Sequence, residues 1–422
     1  MRKCVLMAAM LLVVLAGASG AWAQLQLKEG DTVAVCGDSI TEQKQYSVFI
    51  EDYLLMCQPA AKLQTVQFGW SGETSWGFLN RMDRCVPPFK PQVATSCYGM
   101  NDGGYRAMTD ATGKHYYDSM KAVVARFQKM GVRTIIVGSP GAVDSTSFRH
   151  DPKQAEVYNQ TLDALTQIAA KVAKQDGVLF ADVHTPMMEV MAKAKAKFGP
   201  DYLVCGGDGV HPSANGHLIM AYAFLKAMGC DGHIGTITLD YTSGQAAATD
   251  GHKVLSSAPG KVEIESTRYP FCFTGDPKSP NATSGIIAFF PFNQDLNRFM
   301  LVVKNAPTRA TVTWGKESKV FTGTQLAQGI NLAAEFLDNP FSQPFLKVQR
   351  AIQAQQNMET PLIKTLLMMV PQLEQWTNDK QDVAKIVDDS IQHDEQLRAA
   401  AAAQVVPVKY TITVAPAPEA GK

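Results

Sequence analysis

Between residues 31 and 230, short apolar runs alternate with amphipathic stretches. Thr32–Cys36, Leu63–Phe68, Val93–Tyr98, Thr134–Val137 and Val178–Val183 are rich in β-branched and apolar residues and predict strands. Tyr46–Cys57, Tyr116–Met130, Ala155–Lys174 and Met187–Phe198 repeat apolar residues at spacings of three and four and predict helices. A further helix is expected after His211-Pro212-Ser213, with Ser213 as its N-cap. Such alternation predicts a parallel five-stranded sheet between helical layers, an α/β class fold in three layers.

The pattern changes after Cys230. Ile234–Tyr241, Lys261–Glu265, Ile286–Phe290, Phe299–Val303, Arg309–Trp314 and Lys319–Phe321 are β-type runs separated by turn residues, and predict a small antiparallel sandwich. Residues 341–403 switch to helical periodicity. Phe345, Val348 and Ile352 share one face, and Leu362, Ile363, Leu366, Leu367 and Val370 form a second stripe. Thr360 is the expected N-cap of that second helix, with Pro361 at its first position. Val408–Val414 alternates like a strand. The simplest organisation is a β-sandwich-like region at 231–414 interrupted by a helical insertion at 341–403, followed by a disordered tail at 415–422.

The N-terminus predicts a processed segment. Arg2 and Lys3 precede an apolar run from Val5 to Ala18, and Ala21-Trp22-Ala23 offers a small-x-small cleavage site. A signal peptide over 1–23, a mature start near Gln24 and a secreted or periplasmic location are expected, with the first domain at 24–230. No later run is apolar and long enough to predict a membrane span. The charge balance of 39 Lys+Arg against 39 Asp+Glu leaves no basic surplus for a phosphate backbone, so nucleic acid is not an expected partner. Seven cysteines follow Cys4, an odd number with no CxxC pair. Cys36 and Cys97 sit in strand-like runs and are expected to be buried thiols. No metal or cofactor is implied, since there is no HExxH, no His/Cys cluster and no phosphate-type glycine loop.

The candidate chemistry lies where strands end. Ligands of open parallel sheets bind beyond the carboxyl ends of the strands. The first strand runs into Gly37-Asp38-Ser39, the second into Gly69-Trp-Ser-Gly72, and the third into Gly99-Met-Asn101-Asp102. Asp208-Gly-Val-His211-Pro212 follows downstream. A serine hydroxyl needs a base within hydrogen-bond reach, and histidine titrates in the right range. A carboxylate three residues before the histidine can hold its tautomer.

These four blocks, in this order, resemble those of the SGNH (GDSL-type) hydrolase family over about residues 31–230. The resemblance implies a flavodoxin-like α/β/α esterase domain with Ser39 as nucleophile, His211 as base and Asp208 as its orienter. It also implies an oxyanion hole from the Ser39 and Gly72 amides and the Asn101 side chain. Gln67 stands where the family usually has asparagine, which leaves the hydrogen bonding of the second block's turn open.

Asp182-Val-His184 is a rival pair, two residues apart on one strand. His150 lies in the loop Ser139–Pro152 that would border the site, while His115, His217, His233, His252 and His393 lack matching partners. Asp38 is expected to bond backbone amides of its own turn, and Asp102 is expected to be structural rather than catalytic. Trp314 and Tyr241 are candidate sugar-stacking platforms, although sandwich aromatics more often form core. The expected function is an exported serine ester hydrolase acting on a small-molecule or glycan ester, with a short acyl group such as acetyl. The alternative is an inactive hydrolase scaffold that binds glycans through 231–414.

Overall fold

The computed structural model describes residues 26–418; the expected signal peptide and residues 419–422 lie outside them. Five parallel strands form the first sheet: β1 (Thr32–Gly37), β2 (Gln64–Gly69), β3 (Val93–Cys97), β4 (Thr134–Gly138) and β5 (Leu179–Ala181), in the order β2-β1-β3-β4-β5. Alternation along β1 sends Val33 and Val35 into one core and Ala34 and Cys36 into the other. One face carries α2 (Tyr46–Met56), α6 (His184–Phe198) and α7 (Ala214–Ala227), whose apolar side chains share the Val33 and Val35 core. The other carries α3 (Ser75–Cys85), α4 (Asp110–Lys129) and the C-terminal half of α5 (Pro152–Asp176). A four-residue helix, α1 (Ser39–Glu42), leaves the end of β1. All three layers are as the alternation predicts.

Two further sheets follow. One has the order β13-β10-β6-β7, from β6 (His233–Asp240), β7 (Ala246–Ala248), β10 (Arg298–Lys304) and β13 (Ile330–Asn331). The other has the order β12-β11-β14-β9-β8, from β8 (His252–Ala258), β9 (Lys261–Ser266), β11 (Arg309–Trp314), β12 (Glu317–Thr322) and β14 (Val408–Pro416). Trp314 is fully buried, with the rings of Phe299, Phe336, Phe341 and Tyr410 around it, so it is core rather than a sugar platform. Tyr241 is half-buried.

Several expectations are corrected here. The sandwich is not wholly antiparallel, because β6 and β10 pair in parallel. A parallel pair needs a long crossover, and the chain from residue 241 to 297 supplies one through β8 and β9 of the other sheet. Ile286–Phe290 is not a strand; Ile286–Ala288 is a 3₁₀ turn with Ile286 in the core. The chain enters Pro291 directly after this run, and proline cannot donate to a ladder. β14 runs to Pro416 on β11, so the expected tail begins later than residue 415.

The helical segment also differs in detail. Thr360 does not start a helix: the first helix runs through Ser342–Pro361, continues as a π-turn at Leu362–Leu367, and passes into Met368–Thr377 before the last helix, Lys380–Ala402. Proline leaves its helical acceptor unpaired, and widened turns take up such breaks in the ladder. β14 returns to the second sheet between β9 and β11. The inserted helices, however, pack on the first sheet. Helix Ser342–Pro361 lies against α2 and along β2, the edge strand.

That docking solves a physical problem. An edge strand presents unpaired amides, and burying them without a partner is costly. Glu359 Oε2 accepts the Gln67 amide at 2.8 Å. Gln356 bonds Glu51 and Ser47, each at 2.7 Å, and Gln349 donates to Asp52 at 2.6 Å. Arg398 of the last inserted helix donates to Gln64 at 2.9 Å and pairs with Asp394 at 3.0 Å. Four buried carboxyls, Glu51, Asp52, Glu359 and Asp394, thus lie at this interface, and Arg398 is paired with Asp394 alone. Burial pushes all four pKa values up, and mutual repulsion adds to this for Asp52 and Glu359.

A raised carboxyl favours the folded state below its unfolded pKa of about 4–4.5, and that contribution is lost as pH rises through the folded pKa. We therefore expect the inserted helices to loosen with increasing pH. Glu359→Gln keeps an acceptor for Gln67, and a flip of Gln355, whose Oε1 has no partner, can satisfy the new amide. The Tm advantage of Glu359→Gln over the wild type should grow between about pH 5 and 8. An advantage that shrinks with pH would contradict this account.

Candidate active site

Three glycine-containing turns at the carboxyl ends of β1, β2 and β3 meet a loop before α7. At the first, Asp38 caps α1 by accepting the Ile40 amide at 2.9 Å. The capping role is therefore taken by Asp38, and the Ser39 hydroxyl is free for other contacts. Burial pushes the Asp38 carboxyl up to about 7, against the lowering effect of the Ile40 amide.

Asp208 and His211 sit in the loop Gly206–Pro212. Asp208 Oδ1 accepts the amides of Val210 and His211, both at 2.9 Å, which curls the chain back one turn. Asp208 Oδ2 then lies 2.6 Å from His211 Nδ1. His211 Nε2 lies 2.8 Å from Ser39 Oγ. Partial burial pushes the Asp208 carboxyl up, but the bonds from the His211 amide, the His211 ring and the Val210 amide outweigh it and hold it below its ordinary range. The His211 side chain remains 35% exposed, so a substrate can reach it. Such a chain can deprotonate a hydroxyl and hold the resulting imidazolium.

His184 is placed elsewhere. It starts α6, is buried, and its Nδ1 bonds the Gly141 carbonyl at 2.8 Å. Asp182 accepts the Thr185 amide instead of the His184 ring. A cavity of about 580 Å³ with His184, Asn159 and Met188 in its wall does not include Ser39, Asp208 or His211. His217 is buried, stacks on Tyr46 and bonds Gln43 at 2.9 Å. Burial and the nearby His211 push its pKa down to about 3, so it stays neutral.

The second turn is held from several sides. Gln67 Oε1 accepts the Gly69 amide at 2.8 Å, which answers the question left by its departure from asparagine. Its Nε2 also bonds Thr360 of the inserted helix at 3.1 Å. Glu73 forms a two-pronged buried pair with Arg81 at 2.6 and 2.7 Å and accepts the Tyr98 hydroxyl at 2.9 Å. Gly72 needs glycine for its φ of +73°, whereas a Cβ on Gly69 would meet the Glu42 amide at 2.2 Å.

Asn101 comes from the third turn. Its Nδ2 donates to the Glu73 carbonyl at 3.0 Å, and its Oδ1 accepts the Tyr105 hydroxyl at 3.0 Å. Asp102 accepts the Ser75 and Gly99 amides at 3.0 Å, so Asp38 and Asp102 both bind backbone, Asp102 reaching across to the second turn. Glu42, Lys364, Arg81 and Tyr105 were not singled out in the sequence. The partners of Glu42, Lys364 and Arg81 are remote or outside a shared helix, and Tyr105 lies four residues after Asn101 in a turn rather than a helix, so no helical pattern marks them. All seven described cysteines are unpaired and buried, and no group of three or more His, Cys, Asp or Glu side chains among the described residues is placed to hold a metal ion.

The parallel sheet, the four loops and their order define an SGNH-type hydrolase domain. Residues 35–219 match the GDSL-like lipase/acylhydrolase family, which makes this domain one of the SGNH (GDSL-type) kind. It is similar to an acetylxylan esterase of Geobacillus stearothermophilus, 23% identical over 209 residues that make up 47% of this chain and 91% of that protein. Its fold resembles that of a gut microbial diltiazem-metabolizing enzyme, with a TM-score of 0.70 at 21% identity over 93% of this chain and 98% of the other. The β-rich region and inserted helices are thus part of a fold seen as a whole elsewhere.

The two glycines of the second turn give a stability test. Gly72→Ala should cost about 1 kcal/mol, from the positive φ alone. Gly69→Ala should cost several times more, because backbone must move. Equal Tm losses for the two variants would contradict the packing described.

Proposed function

We propose that the chain is an exported serine ester hydrolase that removes short acyl groups, such as acetyl, from carbohydrate or related esters. In this reading residues 1–23 direct export, 24–230 form the catalytic domain and 231–414 an accessory region. The observation that carries the reading is the hydrogen-bonded chain Asp208–His211–Ser39. Among the described residues no helix is long and apolar enough to cross a membrane. The short-acyl and glycan preference rests on the similarity to the acetylxylan esterase and on the expected export signal.

Ser39 Oγ attacks the ester carbonyl carbon while His211 Nε2 takes its proton. Asp208 keeps Nδ1 protonated and stabilises the imidazolium. The negative charge moves to the former carbonyl oxygen, where the Ser39 and Gly72 amides and Asn101 Nδ2 act as donors. The tetrahedral centre collapses, His211 protonates the leaving alcohol, and the acyl group stays on Ser39. Water then attacks with His211 again as base, which releases the acid and restores the serine.

Two variants test this with a chromogenic acetate ester. Ser39→Ala should abolish turnover, whereas an unchanged rate would refute the mechanism and favour a glycan-binding scaffold. Asn101→Ala should lower kcat by ~10²–10³-fold with a much smaller change in KM. Because Asn101 also ties Tyr105 to the Glu73 carbonyl, its Tm must be followed. A fully folded variant with wild-type kcat would remove Asn101 from the oxyanion site.

A further inference from the structure

The second turn is gripped by the inserted helices at two places. Gln67, within β2, donates its amide to Glu359 and its Nε2 to Thr360. Beyond it, Ser71 donates its amide and its hydroxyl to Glu42 Oε2, both at 2.5 Å. The other oxygen of that carboxylate, Oε1, is 2.8 Å from Lys364 Nζ. Lys364 belongs to the π-turn after Pro361, and its ammonium also lies 4.8 Å from the centre of the Trp70 ring. Arg81 stacks on the same ring at 4.9 Å. Glu42 closes α1, the helix that begins with Ser39. One carboxylate therefore links the serine's helix, the turn that carries Gly72 and a cation from a segment 322 residues away.

We infer that Lys364 is a positioning residue for the esterase site, acting through Glu42 to hold the Ser71–Gly72 turn in register with Ser39. The inference rests on the proposed role of Ser39 and Gly72. Both members of the Lys364–Glu42 pair are mostly buried, with side-chain exposures of 24% and 19%. Screening is therefore weaker than for a surface pair. Burial pushes the Glu42 carboxyl up, but the bonds from Lys364 and Ser71 bring it below its ordinary value, so it is an anion at neutral pH. The neighbouring Lys44 ammonium bonds the Glu42 carbonyl rather than the carboxylate. Without Lys364, Glu42 loses the cation that fixes one of its oxygens, and the turn gains freedom where Gly72 has no side chain to restrain it. A sub-ångström displacement of a donor affects the transition state more than the ground state, since charge develops only in the former.

The test is a double-mutant cycle on the full chain with p-nitrophenyl acetate, using Lys364→Met, Glu42→Ala and the pair. Lys364→Met should lower kcat about tenfold, short of the ~10²–10³-fold expected when a donor is lost outright. KM should stay within about twofold and Tm within about 2 °C. Lys364→Arg should restore most of the rate. In the Glu42→Ala background, Lys364→Met should have no further effect, because the cation acts through that carboxylate. A wild-type kcat for Lys364→Met, an equal loss in both backgrounds, or a fall in Tm and rise in KM in place of the kcat effect would each overturn the inference. Ser39→Ala separates this from the underlying reading. If it retains activity, the esterase mechanism itself fails. If it is inactive while Lys364→Met turns over normally, only the positioning role fails.

Discussion

The His211 ring and the Ser39 hydroxyl are 172 residues apart in sequence and 2.8 Å apart in space, and the packed parallel sheet is what closes that distance. A hydrogen bond of that length tolerates little error in the strands beneath it. β1 must end where Gly37 can pass Thr41 and the Cys97 carbonyl, since a Cβ there would meet them at 2.0 and 2.9 Å. Asp38 must cap α1 so that Ser39 need not. The loop before α7 must curl around Asp208 so that its carboxylate reaches the ring from three residues back. Each of these local choices serves a contact that local sequence cannot supply.

The inserted helices extend the same logic to the edge of the sheet. A five-stranded parallel sheet leaves β2 exposed on one side, and in this chain β2 delivers the turn that carries Gly72. Glu359 pairs its amide at Gln67, and Lys364 reaches the Glu42 carboxylate that holds Ser71. Stabilising the edge and fixing the turn are thus one arrangement of side chains. Burial pushes the carboxyls at this interface up, so docking of the helices is expected to weaken as pH rises, without any of these acids touching the reacting atoms.

The sequence made the central domain and the site legible for definite reasons. Parallel strands buried on both faces read as continuous apolar runs, and four loops at strand ends carry residue types whose chemistry is restrictive. Ser39, Gly72, Asn101, Asp208 and His211 are candidates from sequence because their neighbours in the chain mark them, and the fold joins Asp208, His211 and Ser39 by hydrogen bonds. The rest depended on partners far away in sequence. Gln67 and Glu359 are separated by 292 positions, and nothing around either predicts the bond. Pro361 read as a helix start because proline is favoured there, whereas the chain runs through it into a π-turn. Ile286–Phe290 read as a strand because burial alone, without period, does not distinguish a strand from a packed turn. The parallel pairing of β6 and β10 follows from a crossover that no local pattern encodes.

In the proposed mechanism His211 makes Ser39 nucleophilic. Its most direct test is reaction with an alkyl fluorophosphonate, in which the activated serine oxygen displaces fluoride and forms a stable phosphonyl adduct, followed by mass spectrometry of the digested protein. A single adduct is expected on the peptide containing Ser39, absent from His211→Ala under the same conditions. Labelling at another serine, or equal labelling of Ser39 with and without His211, would contradict it.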